Sequence, residues 1–269
     1  MSRIAGRFAD LRKRGRVALI PYVTAGDPQP DVTVPVMHAM VEAGADLLEI
    51  GVPFSDPMAD GPVIQAACER ALDHHMSLHR VLDMIREFRQ TDSATPVVLM
   101  GYLNPIEVWG YRDFAEAAAA AGVDGVLTVD MPPEEAGDLT AALGRSGIDA
   151  IFLLAPTSGD VRIRKVSESA SGFIYYVSLK GVTGANRLDV EAVAARLQEV
   201  RQYTELPLGV GFGVRDPETA AQIARIADAV VVGSVLVGKM AELADRPDAI
   251  PEALAGTIAE LRTAMDGLA

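Results

Sequence analysis

Cysteine is almost missing from this chain of 269 residues, which has one, Cys68. No disulfide can form within it, as suits a reducing compartment. Cys68 falls in the helix-like run IQAACERAL, where it reads as packing rather than as a nucleophile. Positive charge is in deficit: 24 Lys and Arg face 37 Asp and Glu, for a net charge of −13 and a pI near 4.7. No basic patch is available to neutralise a phosphate backbone, so nucleic acid is excluded as a natural partner. The most basic stretch, Arg12-Lys13-Arg14 with Arg16, is short and reads as a solvated helix end. No apolar run approaches the roughly 18 residues of a membrane helix. The opening MSRIAGRFADLRKRG lacks the long apolar core of a signal peptide. A soluble, cytoplasmic protein with no membrane partner is expected.

Other absences narrow the chemistry. There is no Ser/His/Asp order, no CxxC pair and no P-loop. His74, His75 and His79 with Asp73 resemble a metal cluster in composition, but they lie on a polar helix flank and its connection, so no metal site is expected. No linker, low-complexity tract or second domain interrupts the chain.

What is present is a repeated pattern. Nearly continuous apolar runs occur at 17–24, 46–51, 96–102, 124–130, 149–156, 172–178, 207–213 and 228–234. This is how parallel strands covered on both faces read. Amphipathic segments lie between them, such as 34–45, 78–90, 111–122 and 190–202. Asp31, Ser77, Pro133 and Asp216-Pro217 mark helix starts, and Gly44 and Gly122 mark ends. Eight β-then-α units predict an α/β fold, a (β/α)8 barrel, in one domain over residues 1–269. A doubly wound open sheet is the alternative, but it calls for a Gly-rich fingerprint after the first strand, where Thr24-Ala25-Gly26-Asp27 stands instead. Residues 2–14 predict an extra helix under the barrel. Strands 2 and 3 lie about 50 residues apart, against 20 to 35 elsewhere, and the excess holds a Gly/Pro-rich loop and an extra helix near 62–73. Long βα loops in such barrels are usually functional.

Active sites of these barrels form at the C-terminal ends of the strands. Glu49 stands near that end of strand 2, inside LLEIG, and alternation sets it on the face opposite Leu48 and Ile50. Pointing into the barrel mouth it would be desolvated, with a raised pKa that suits an acid/base; pointing outward it would meet an Arg or cap a loop. Asp60 in the next loop can approach the same space, and two carboxylates in different surroundings can take different roles. Asp56, between Ser55 and Pro57, reads as a turn former. Gly211 and Gly213 end strand 7, and Gly233 and Ser234 end strand 8. Paired turns there fit a phosphate cradle as well as plain tight turns. SLKGVTGANRLD, residues 178–189, reads as a lid, and Lys180 within it is the competing candidate, as a Schiff-base lysine. Tyr22, Met100, Tyr102, Leu127, Leu153, Tyr175 and Phe212 fall near strand ends as an apolar lining. A phosphate site beside such walls suits a ligand with an aromatic ring and a phosphate tail.

The segments IPYVTAGDP (20–28), LEIGVPFSDPMADGPVIQ (48–65), GVTGA (181–185), VGFGV (210–214) and VVGS (231–234) resemble the signatures of the tryptophan synthase α subunit family. They are spread over nearly the whole chain. The resemblance implies a (β/α)8 barrel that splits indole-3-glycerol phosphate into indole and glyceraldehyde 3-phosphate, with Glu49 and Asp60 as the catalytic acids. It implies substrate contacts at Tyr22, Ile64, Met100, Leu127, Tyr175, Thr183, Gly184, Phe212, Gly213, Gly233 and Ser234. Thr183 would secure the Asp60 loop, and Pro53, Asp56 and Asn104 would serve loop positioning and the partner face. It further implies an α2β2 complex with a β subunit that carries pyridoxal phosphate, this chain having no cofactor of its own. Two positions depart from the family pattern. Ser178-Leu179-Lys180 stands where an Arg often follows the Ser, and Tyr22 stands where Phe is common.

Overall fold

The computed structural model describes residues 2–177, 189–211 and 213–267. Eight parallel strands close a barrel in chain order: β1 (Ala18–Thr24), β2 (Leu48–Gly51), β3 (Val97–Gly101), β4 (Gly125–Thr128), β5 (Asp149–Leu154), β6 (Ile174–Val177), β7 (Leu208–Gly211) and β8 (Ala229–Val232). The helices are α1 (Arg3–Lys13), α2 (Thr33–Glu42), α3 (Pro62–Asp73), α4 (Leu78–Phe88), α5 (Leu103–Trp109), α6 (Tyr111–Ala121), α7 (Gly137–Arg145), α8 (Asp160–Ser169), α9 (Val190–Val200), α10 (Pro217–Ala224), α11 (Ser234–Glu242) and α12 (Ile250–Asp266). The closed ring rules out the open-sheet alternative.

Alternation along each strand sorts the core into two layers. Leu48 and Ile50 of β2 pack outward against the helices. Leu47, Val98, Leu127 and Ile151 fill the barrel interior. Ser2 caps α1 by accepting a 3.2 Å hydrogen bond from the Ala5 N–H. Ile4, Phe8 and Leu11 recur at helical spacing on one buried face of α1, and Phe8 packs on Phe173 with ring centroids 5.9 Å apart. The extra N-terminal helix therefore plugs the barrel bottom.

That bottom is tied together by a repeated device. A side chain just ahead of each even strand accepts from an early N–H of the odd strand before it. Asp46 takes Leu19 N at 2.9 Å, Asp124 takes Val97 N at 2.8 Å, Ser171 takes Ala150 N at 2.9 Å, and Asp228 takes Leu208 N at 2.8 Å. The three aspartates each meet an arginine: Arg262 at 3.2 Å from Asp46, Arg89 and Arg3 both at 2.7 Å from Asp124, and Arg201 at 2.8 Å from Asp228. Each bond satisfies a backbone donor at the strand start and fixes register at the end of the barrel that serves stability.

Two expectations need correction. Pro133 does not start a helix: residues 133–136 form a turn, with Glu135 N bonded to Pro132 O at 3.0 Å, and α7 begins at Gly137. Asp31 lies in a short 3-10 turn, Pro30–Val32, that runs into α2. Ser77 and Asp216 do cap α4 and α10, accepting from Arg80 N and Thr219 N. Gly44 and Gly122 follow helix ends with φ of +109° and +91°, a region that favours glycine.

Candidate active site

β2 is short, and its neighbours decide where Glu49 points. Glu49 pairs with Tyr22 of β1 on one side and Val98 of β3 on the other. It is 1% exposed, and neither carboxylate oxygen has a hydrogen-bond partner among the described residues. Burial, reinforced by the charge of Asp60, pushes its carboxyl up to about 8. Glu49 therefore carries a proton at neutral pH. A buried acid without a partner is costly unless protonated, and here it is an acid with a proton to give.

Asp60 arrives on the loop between β2 and α3. Tyr102, at the end of β3, holds that loop through one side chain. Its ring stacks on Phe54 at 5.1 Å, its hydroxyl accepts from Ala59 N at 2.9 Å, and the hydroxyl donates to Oδ2 of Asp60 at 2.8 Å. Burial raises the Asp60 carboxyl, and the Tyr102 hydrogen bond works against that rise. From α3, Gln65 donates to the carbonyls of Asp60 at 2.8 Å and Pro57 at 3.3 Å. α3 is itself fixed to the β1 end by Arg70, which grips buried Asp27 with two bonds of 2.6 and 3.1 Å. Asp56 is exposed and sits in a turn: Ser55 Oγ donates to its carboxylate at 2.6 Å, and Met58 N donates to its carbonyl at 2.8 Å. Pro53 is buried at the loop start.

Tyr22, Ile64, Met100, Leu127 and Tyr175 come together with Cys68 in the buried layer around this mouth, and Leu153 packs against it half-buried. Two tyrosines need glycines opposite them. A Cβ on Gly51 would overlap the Tyr22 hydroxyl, and one on Gly211 would overlap the Tyr175 hydroxyl. The Tyr22 ring also backs onto Gly233, so it spans from the carboxylates towards the end of β8. Its hydroxyl bonds Thr24 Oγ1 at 3.2 Å. Burial and then the Glu49 charge raise the Tyr175 phenol, so that ring lies within reach of the same carboxyl.

Gly213 has a φ of +94°, and Gly233 leads directly into Ser234, the first residue of α11. A helix N-terminus reached through glycine can present N–H groups to an anion. Thr183, Gly184, Phe212 and Lys180 lie outside the described residues. Asn104 is exposed on α5, a short helix the sequence reading did not foresee. His79 stacks on Trp109 at 3.7 Å. Among the described residues no three His, Cys, Asp or Glu side chains gather as metal ligands.

Several supports were not singled out in the sequence: Gln65, the Asp27–Arg70 pair, and Tyr102 as an anchor rather than a wall. Tyr102 carried a signal, since a buried tyrosine hydroxyl usually finds a partner. Asp27 and Arg70 lie 43 residues apart, and nothing local links them.

Comparison with known proteins identifies the family and the fold. The family model described as tryptophan synthase alpha chain matches residues 8–266. The tryptophan synthase alpha chain of Thioalkalivibrio sulfidiphilus is 64% identical over 266 residues, covering 99% of this chain and 100% of that protein. That of Nitrosococcus oceani is 64% identical, covering 99% of this chain and 98% of its own. The crystal structure of tryptophan synthase subunit alpha from Legionella pneumophila superposes with a TM-score of 0.92 at 43% identity, covering 99% of each chain. A chain of Mycobacterium tuberculosis tryptophan synthase gives 0.88 at 38% identity, with 98% of each chain covered. With a family match over nearly its whole length and a barrel of the same form, the chain belongs to the tryptophan synthase alpha chain family.

Proposed function

We propose that Glu49 and Asp60 perform the reaction of this family, the retro-aldol cleavage of indole-3-glycerol phosphate to indole and glyceraldehyde 3-phosphate in tryptophan biosynthesis. The observation that carries the assignment is Glu49 itself: buried, without a hydrogen-bond partner among the described residues, and with a carboxyl raised to about 8 by burial and the charge of Asp60. Cleavage needs a proton on indole C3 and loss of the proton from the side-chain hydroxyl next to the ring. Glu49 first gives its proton to C3. The ring becomes an indolenine with positive character on nitrogen, and the Asp60 carboxylate stabilises that charge. Glu49, now a carboxylate, takes the hydroxyl proton. The C–C bond breaks, its electrons return to the ring, and an aldehyde and indole leave with Glu49 protonated again.

The ring would lie among Tyr22, Ile64, Met100, Leu127, Tyr175 and Phe212. Gly184, Gly213, Gly233 and Ser234 would hold the phosphate, and Thr183 would close on the Asp60 loop. The whole chain acts as one domain, in the cytoplasm. Members of this family work with a β subunit, and a chain of the tryptophan synthase complex from Pyrococcus furiosus is among the structural neighbours, at a TM-score of 0.81 and 37% identity, covering 91% of this chain and 97% of that one. Met58, 87% exposed on the loop with Pro53 and Asp56, and Val108, 81% exposed on the helix with Asn104, are apolar side chains open to that contact. The assembly is α2β2, with pyridoxal phosphate in β and indole passing between the sites.

The test is to supply indole-3-glycerol phosphate to the purified chain, alone and with a β subunit, and to assay both products while weighing the complex. Slow release alone, faster release in an α2β2 particle, and no borohydride-trapped adduct on Lys180 are expected. A chain that binds the substrate but releases no indole in either state would reduce it to a binding subunit. A trapped adduct would move the chemistry to the lysine.

A further inference from the structure

We propose that Tyr102 is a positioning residue that acts through Asp60, holding its carboxylate in the charged form and in a fixed place before substrate arrives. The inference rests on the reading of Asp60 as a catalytic group and adds what keeps it competent. A buried carboxyl tends to take up a proton and lose its use as a charge stabiliser. Something must oppose that tendency.

Tyr102 is built to do so. It is buried at the N-terminus of α5, and the next residue is pinned, Leu103 N donating to Asp130 Oδ1 at 2.8 Å. Its hydroxyl has a single proton. Ala59 N can only donate, so its 2.9 Å bond occupies an acceptor site on the phenol oxygen. The hydroxyl proton is therefore directed at Asp60 Oδ2, 2.8 Å away. A hydroxyl that must donate favours a carboxylate over a protonated acid. The Phe54 stack fixes the ring, so the donor cannot swing away without moving the loop. Burial and the Asp60 charge raise the phenol, which keeps its proton throughout the working range. The other titratable groups that feel Asp60 are Glu49 on β2, Tyr22 on β1, Cys68 on α3 and Tyr175 on β6, and a charge on any of them would push Asp60 the opposite way.

Tyr102→Phe keeps the ring and removes both hydrogen bonds. The acidic limb of the pH profile of kcat/KM should move to higher pH, with kcat down about tenfold at neutral pH. Replacing Tyr102 by 3-fluorotyrosine, a stronger donor of nearly the same size, should move that limb the other way, and this variant preserves the packing if Tyr102→Phe folds poorly. In an Asp60→Asn background, Tyr102→Phe should change the rate by less than about twofold, because the group it acts through is gone. An acidic limb unmoved by either replacement, or an equal loss from Tyr102→Phe in both backgrounds, would overturn the inference. If Asp60→Asn alone keeps the full rate, the catalytic reading of Asp60 falls and this inference falls with it.

Discussion

The hydroxyl of Tyr22 fills the space where a side chain on Gly51 would stand, so the residue two places after Glu49 is glycine because of a tyrosine on the neighbouring strand. Gly51→Ala should displace Tyr22 and cost about 1–3 kcal/mol, the usual range for overpacking. Tyr22→Phe should not relieve it, since the ring carbons would still lie 2.6 and 2.8 Å from the new Cβ. Tyr22→Leu in the same chain should restore part of the loss. Urea midpoints of the three variants and wild type decide the matter; a Gly51→Ala chain as stable as wild type would mean that the ring moves freely.

Glu49 gives stability a pH dependence with a definite sign. Its folded carboxyl is raised from 4.5 to about 8. Between those values the folded chain holds a proton that the unfolded chain has lost, so stability falls as pH rises through the window and levels off above about 8. Glu49→Gln cannot titrate. Its stability relative to wild type should therefore grow across the window by a few kcal/mol, while its activity is lost. Denaturant curves at acidic, neutral and basic pH provide the comparison, and a constant difference at all pH values would contradict the raised carboxyl.

At the opposite end of the barrel, Asp46→Ala should damage stability and spare chemistry. It strips Leu19 N of its acceptor and leaves Arg262, almost fully buried, without this partner. Breaking a buried pair from one side costs about 3–5 kcal/mol. Thermal unfolding should fall steeply, and kcat well below the new midpoint should match wild type. A large drop in kcat there would mean that the bottom layer reaches the site.

Arg70→Lys should loosen the catalytic loop without unfolding the barrel. Lysine cannot supply the two-pronged grip on Asp27, so α3 and the Gln65 bonds it carries lose one fixed point. The expected result is kcat/KM down about tenfold with a small fall in melting temperature. An unchanged kcat/KM would show that Gln65 and Tyr102 hold the loop by themselves.

The barrel was legible because each strand, covered on both faces, reads as an unbroken apolar run. Period-two alternation sets Glu49 on the face opposite Leu48 and Ile50 but leaves open which face looks inward; the structure turns Leu48 and Ile50 to the helices and buries Glu49. The extra helix expected near 62–73 is α3, which begins at Pro62, where proline suits a first helical position. α5 carries little signal in the sequence: it is seven residues long and holds Pro105, which is tolerated only in its first turn. The apolar runs overshoot the strands, as 124–130 does Gly125–Thr128, since pairing partners rather than composition end a strand. The supports of Asp60 were hidden because they are long-range: Tyr102 lies 42 residues from Asp60 in sequence and meets it only after the barrel closes. Thr183, Gly184 and Phe212 fall outside the described residues, so their part in the site stands on the resemblance alone.

The central claim is that two carboxyl groups, one buried and protonated and one on a loop, share the cleavage. Indole release from indole-3-glycerol phosphate by Glu49→Gln and Asp60→Asn, beside wild type and with and without a β subunit, tests it most directly. Losses of at least about 10²-fold in both variants, with their folds intact, are predicted. Near-normal rates in either variant would contradict the shared acid–base mechanism and turn attention to Lys180.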